Sequence, residues 1–178
     1  MLFALMPKEA TVHKRKLVCG LAALVFALAL SAGVATAGAT SRVIVFEVAN
    51  LGDASADCSG ALFGLSFDMV SPGGPALGHG ASCVQFFDPP AGCPFGMVGC
   101  QDAVHAVFTL TFAEGTLTAP IVLTEHWLTE SMVLQVDRGT VSSATGEFTG
   151  ASGSIFCAGT VRFTATAALP SIVCVVHL

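Results

Sequence analysis

Apolar residues return at every second position in several stretches of this chain, and that period decides which folds are open to it. Phe63, Leu65, Phe67 and Met69 alternate with Gly64, Ser66 and Asp68. Phe108, Leu110 and Phe112 alternate with Thr109 and Thr111, and Met132, Leu134 and Val136 alternate with Val133, Gln135 and Asp137. Val161, Phe163, Ala165 and Ala167 alternate with Arg162, Thr164 and Thr166. A period of two sends successive side chains to opposite faces of a strand, so each stretch reads as a half-buried strand with its apolar face in the core. Residues 43–48 and 172–178 are apolar on both faces, as in central or doubly covered strands. Residues 82–87 and 117–124 add two further strands. Beyond residue 41 there is no sustained 3.6-residue period.

Turn residues separate these runs. Ser71-Pro72-Gly73-Gly74-Pro75 and Asp88-Pro89-Pro90-Ala91-Gly92 break the chain, and Glu114-Gly115, Arg138-Gly139 and Leu169-Pro170 mark tighter turns. The expected fold is all-β: a single antiparallel barrel of about eight strands, with a β-sandwich as the alternative. Residues 71–102, rich in Pro, Gly and Cys, read as long loops pinned by disulfides.

A different composition rules the N-terminus. Lys14, Arg15 and Lys16 precede a mostly apolar run, and small residues follow as far as Ala35-Thr36-Ala37. A basic region, a short apolar core and an Ala-x-Ala site make a secretory signal peptide. Residues 1–37 are therefore expected to form a signal-peptide helix removed after Ala37, with Ala39 the second choice and Met6 an alternative start. An uncleaved anchor is the competing reading, since residues 17–41 carry no charge. Residues 38–178 then form one domain, secreted or periplasmic. It holds three arginines against eleven acidic residues, a net charge of −8, and no lysine. Such a surface repels nucleic acid and anionic lipid, so neither is an expected partner, and no membrane contact is expected after cleavage.

Six cysteines remain in the domain: Cys58, Cys83, Cys93, Cys100, Cys157 and Cys174. An even number in an exported chain implies up to three disulfides. Cys93 and Cys100 form the best local pair, around a loop that can return on itself; Cys58–Cys83 and Cys157–Cys174 would follow among the connectivities open to six cysteines. A zinc site from Cys83, Cys93 and Cys100 with His79 or His105 is the competing reading, but the spacing fits no compact zinc knuckle. No metal and no cofactor are expected.

Thr145 to Gly153 contains Gly-x-Phe-x-Gly-Ala-x-Gly, and a strand follows it. This hairpin resembles that of the small β-barrels related to allene oxide cyclases and dirigent proteins. The resemblance covers about 40 residues of the chain. It implies an eight-stranded barrel with a cavity open at one end, where plant members bind hydrophobic molecules and guide a cyclisation or coupling. None of that family's catalytic residues matches a position here. Phe148, within the turn, is expected to plug the core.

Glu125, His126, Trp127 and Glu130 form the densest polar constellation. A histidine beside a carboxylate suits acid–base work near neutral pH. On a strand, however, Glu125 and Trp127 share one face and His126 takes the other, so the adjacent pair is not a dyad by itself. Trp127, the single tryptophan, would stack on a ligand or cap the barrel. The plainer arrangement leaves Glu125 and His126 at solvent and puts Trp127 in the core. His79 reads as a loop residue, His105 as a surface or edge residue and His177 as exposed. There is no Gly-x-Ser-x-Gly elbow and no phosphate loop.

Two functions fit. One is non-catalytic binding of a small apolar ligand or a partner surface. The other is a cyclase- or isomerase-type barrel enzyme that uses Glu125, His126 or Glu130. A structural envelope role through strand pairing is a third.

Overall fold

The computed structural model describes residues 41–178; the expected signal peptide lies outside the described residues. Among the described residues nine strands run in chain order: β1 (Val43–Asp53), β2 (Phe63–Val70), β3 (Ala76–Asp88), β4 (Gln101–Phe112), β5 (Gly115–Thr129), β6 (Met132–Thr140), β7 (Ser143–Ala144), β8 (Ser154–Phe163) and β9 (Ala168–His177). Eight of them form a closed antiparallel barrel in which each strand pairs with its neighbours along the chain, β8 following β6. The first and last strands close it, with Val43 opposite His177 and Glu47 opposite Val173. The two-residue β7 adds only to the start of β5. Closure leaves no long open edge. The sandwich alternative is thereby set aside. Among the described residues no helix is long and apolar enough to cross a membrane.

The predicted alternation holds in β2 and β4, where Phe67, Met69, Phe108, Leu110 and Phe112 all point inward and are buried. It inverts in β6. Val133, Gln135 and Asp137 are buried, while Leu134 is 38% exposed on the outer wall. The pleat allows only one parity inside, and register with β5 and β8 fixes it: Val133 lies opposite Trp127 and Val161, both on the inner face.

Several turns also move. Arg138-Gly139 lies inside β6, and the reversal comes earlier, between Thr129 and Met132. Gly139 is small because a Cβ there would collide with Ile121 and the Pro120 carbonyl. Leu169-Pro170 lies inside β9, with Pro170 opposite Val161. The turn closes before it, where the Thr164 hydroxyl takes the Ala167 amide at 3.0 Å and the Thr164 amide reaches the Ala167 carbonyl at 2.8 Å. Within 71–102, residues Ala76–Asp88 are strand β3, so the loop proper is 89–100. Residues 43–48 are not covered on both sides, since Val43 is 52% exposed on the outside of the barrel.

Three disulfides pin this barrel: Cys58–Cys83, Cys93–Cys100 and Cys157–Cys174. The first ties the 3-10 turn Ser55–Asp57 region to β3, the second closes the β3–β4 loop, and the third joins opposite residues of β8 and β9. The zinc alternative fails, because Cys83, Cys93 and Cys100 are all engaged in disulfides. Cys157 and Cys174 are buried and separated by 17 residues of chain. Constraint of the unfolded chain by such a loop is worth about 3 kcal/mol. Replacing both by alanine should lower the thermal midpoint by roughly 10 °C in non-reducing buffer, measured by circular dichroism; an unchanged midpoint would show that the bond adds nothing to the barrel.

Candidate functional site

The lumen has a filled half and an open half. At the end where β1 begins, Phe46, Met69, Leu110, Leu117, Ile155 and Val176 are essentially without exposure. Phe148, in the 3-10 turn Gly146–Phe148, plugs this end as expected, against Phe112 at 5.5 Å and beneath the Arg42 guanidinium at 4.7 Å. Toward the other end the inward positions carry smaller or polar side chains, among them Gly52, Ser82, Val84, Val104 and Val161. An eight-stranded barrel is just wide enough for side chains to fill it or for one small ligand. Here the smaller side chains leave a cavity of about 350 Å³.

The mouth of this cavity is ringed by aromatics. Phe63 packs on Phe87 (6.1 Å between ring centres), Phe87 on Phe95 (4.4 Å), Phe95 on Trp127 (5.9 Å, edge on) and Trp127 on Phe163 (5.6 Å, stacked). Phe95 belongs to the disulfide-closed β3–β4 loop. That loop is fastened to β5, because the Gly99 amide donates to the Trp127 carbonyl at 2.8 Å and the Trp127 amide to the Cys100 carbonyl at 3.2 Å. Below the rim, the buried Asp102 accepts the Trp127 indole N–H at 3.1 Å and the Gly96 amide at 3.0 Å through Oδ2. Asp102 thus positions both the loop and the tryptophan.

One wall of the cavity is polar. Glu125 of β5 lies directly opposite Asp102 of β4 on one side and Gln135 of β6 on the other. Such cross-strand partners have Cβ atoms about 5 Å apart. Asp137 follows two residues after Gln135 on the same face and accepts the Gln135 Nε2–H at 2.9 Å through Oδ2. Glu125, Gln135 and Asp137 all line the cavity. Glu125 Oε2, Asp137 Oδ1, Asp102 Oδ1 and, from β3, Ser82 Oγ are buried without a hydrogen-bond partner among the described residues. Burial first, and then the neighbouring Asp102 charge, push the Glu125 carboxyl up to about 7. Burial pushes Asp137 up to about 7 as well, with the Gln135 hydrogen bond opposing and the Glu125 charge adding to the shift.

The candidate residues are therefore divided. Glu125 is inside the cavity, not at solvent. Trp127 is half-buried at the rim and does not fill the core. His126 points outward beside Gln101 and Leu134, and Glu130 is exposed in the β5–β6 turn, so neither meets Glu125 in the lumen. His79 is in strand β3, not a loop, and its Nδ1 contacts Asp68 Oδ1 at 2.6 Å on the outer surface. His105 faces outward and stacks on Phe86 at 4.2 Å. Among the described residues no three His, Cys, Asp or Glu side chains group as metal ligands. The polar residues that the sequence reading missed are Gln135, Asp137 and Ser82 in the cavity lining and Asp102 behind it. Asp102 shares the parity of Phe108, and Glu125 that of Ile121 and Leu123, so extending those two strands would have turned both carboxyls inward.

No protein-family model, no curated protein and no solved structure matches this chain.

A buried carboxyl with a raised pKa is destabilising once it ionises. Unfolded, Asp137 ionises near 3.8; folded, near 7. The folded chain therefore holds the extra proton between those values, and stability falls as pH rises through that window. Asp137→Asn keeps an acceptor for Gln135 and removes the charge. The variant should be more stable than the parent at pH 8, by a few kcal/mol (~4 at most), and the gap should close toward pH 4. Thermal midpoints across that range check this; a gap independent of pH would contradict it.

Proposed function

We propose that this protein is an exported binding barrel that holds one small, mainly apolar molecule in its lumen without transforming it. The observation that carries the reading is the cavity itself: about 350 Å³ of space, apolar over most of its wall, with Glu125, Asp137 and Ser82 among its lining residues and each holding a buried polar atom that no other described residue satisfies. Ligand sites have this size and this mixture of apolar wall and few convergent polar groups. A closed core would have filled the space, since a void costs stability in proportion to its volume. The three disulfides suit an oxidising compartment, and the signal-like N-terminus supports export to one. The resemblance of the Gly146–Gly153 hairpin to the cyclase and dirigent barrels carries the same expectation of a hydrophobic ligand.

A second reading has its own support. Glu125 and Asp137 both titrate near neutrality inside one pocket, and two coupled carboxyls in such a site can hold one proton between them as acid and base. That is the arrangement a cyclase or isomerase would use on an apolar substrate.

Native mass spectrometry of the exported protein, without reductant, tests these readings. The carrier reading expects a bound organic mass released on denaturation. It also expects Ser82→Phe, which puts a ring into the cavity and removes a buried unpartnered hydroxyl, to fold and carry less of that molecule. An isomerase would release two isomers of one mass, separable by chromatography. Protein that is bare from every source, and that takes up no apolar probe any better than Ser82→Phe does, would overturn both.

A further inference from the structure

Among the described residues the polar wall of the cavity has acceptors without a matching cation. Glu125 and Asp137 line the lumen, and Asp53 stands at its β1 end. Asp102 lies behind Glu125 on β4. The domain's three arginines are all elsewhere. Arg138 and Arg162 each follow an inward residue and so face outward, Arg138 lying 5.8 Å over Phe156. Arg42 sits at the plugged end, 3.3 Å from Glu114. Among the described residues the only donor to the pair is Gln135 Nε2, which reaches Asp137 Oδ2 alone. Asp137 is 1% exposed, and its Oδ1 has no partner. Ser82, a second unpartnered buried group independent of the acids, looks into the same space from β3.

Buried carboxylates are stable when paired with a cation or hydrogen-bonded, and costly otherwise. In this lumen the missing partner has to come from outside. The aromatic rim complements this, since rings attract organic cations through their faces. Resting on the binding reading above, we propose that the cavity selects an organic cation: an apolar, ring-sized skeleton that carries a protonated amine, with its nitrogen set between Glu125 and Asp137. An anionic ligand such as a fatty acid meets repulsion at the same wall. The titratable groups facing the nitrogen are Glu125 on β5 and Asp137 on β6, with Asp102 on β4 behind and Asp53 on β1. Strands β2, β3, β8 and β9 present none to the lumen, Cys174 being closed in a disulfide. Binding a cation favours the ionised carboxyls, so it expels protons and weakens as the pH falls.

Calorimetry on the oxidised protein with three probes of one skeleton tests this: 1-naphthylmethylamine, 1-naphthalenemethanol and 1-naphthoate. At pH 8 the amine should bind at least tenfold more tightly than the alcohol, and the naphthoate more weakly than either. Amine binding should release protons, read from its heat in buffers of different ionisation enthalpy. Its affinity should drop at least tenfold from pH 8 to pH 5, against a much smaller change for the alcohol. In Glu125→Gln and Asp137→Asn the amine-to-alcohol ratio should collapse toward one. An alcohol or naphthoate that binds as well as the amine would overturn the cation assignment and leave the binding reading in place. Failure of all three would overturn both.

Discussion

The pairing of β1 with β9 is what the rest of the molecule depends on. Without it the sheet is an eight-stranded ribbon with two long edges and no inside. With it, every strand has one parity that faces the lumen and one that faces water. The closing strands are also where the apolar density is highest, and Phe46, Cys174 and Val176 are buried at the joint. The Cys157–Cys174 bond then fixes β8 to β9 from the interior side. Closure sets the lumen width, and the side chains along it decide whether that width is filled.

Filling differs between the two ends. Phe46, Met69, Leu110, Leu117 and Ile155 close the plugged end, while at the open end Gly52, Ser82, Val84, Val104 and Val161 are interspersed with the aromatic side chains and leave space between them. The polar wall is unfavourable for folding alone, because the half-buried Glu125 and the buried Asp137 lie diagonally across the β5–β6 pair with little to offset their ionisation. A sequence shaped only for stability would place leucine there. Local unfavourable groups of this kind concentrate where a protein binds or reacts. The rim adds a second constraint: Asp102 holds Trp127 and the Gly96 amide together, so the disulfide-closed loop and the aromatic ring are set as one piece above the cavity.

Much of this barrel was legible in the sequence. The period of two in 63–69 and 108–112 identifies strands and gives the correct inward face, Phe148 reads as a plug, and spacing points to Cys93–Cys100, with the other two pairs only following from it among open alternatives. The site was less legible, and for one cause. Periodicity arguments assign polar residues to water, so Gln135 and Asp137 were placed outside and Met132, Leu134 and Val136 inside. Cross-strand register, which a single strand does not contain, reverses that. Glu125 was singled out as a candidate, but the plainer arrangement left it at solvent because the strand reading stopped at 124, one residue short of it. Gly139 and Pro170 read as turn residues, whereas one is demanded by close packing against Ile121 and the other lies within the β8–β9 ladder. Glycine and proline mark several kinds of constraint, and only tertiary context separates them.

The central claim is that two carboxyls line a hollow lumen, largely withdrawn from water and without a cation to pair with. Carbon-detected NMR titration of the Glu125 and Asp137 carboxyl groups, from pH 3 to pH 9, measures this directly. The account predicts that both titrate near 7, with coupled, broadened curves. Titration of both at ordinary solvent-exposed carboxylate values, near 4, would contradict it, because it would mean that the wall is wet or already paired.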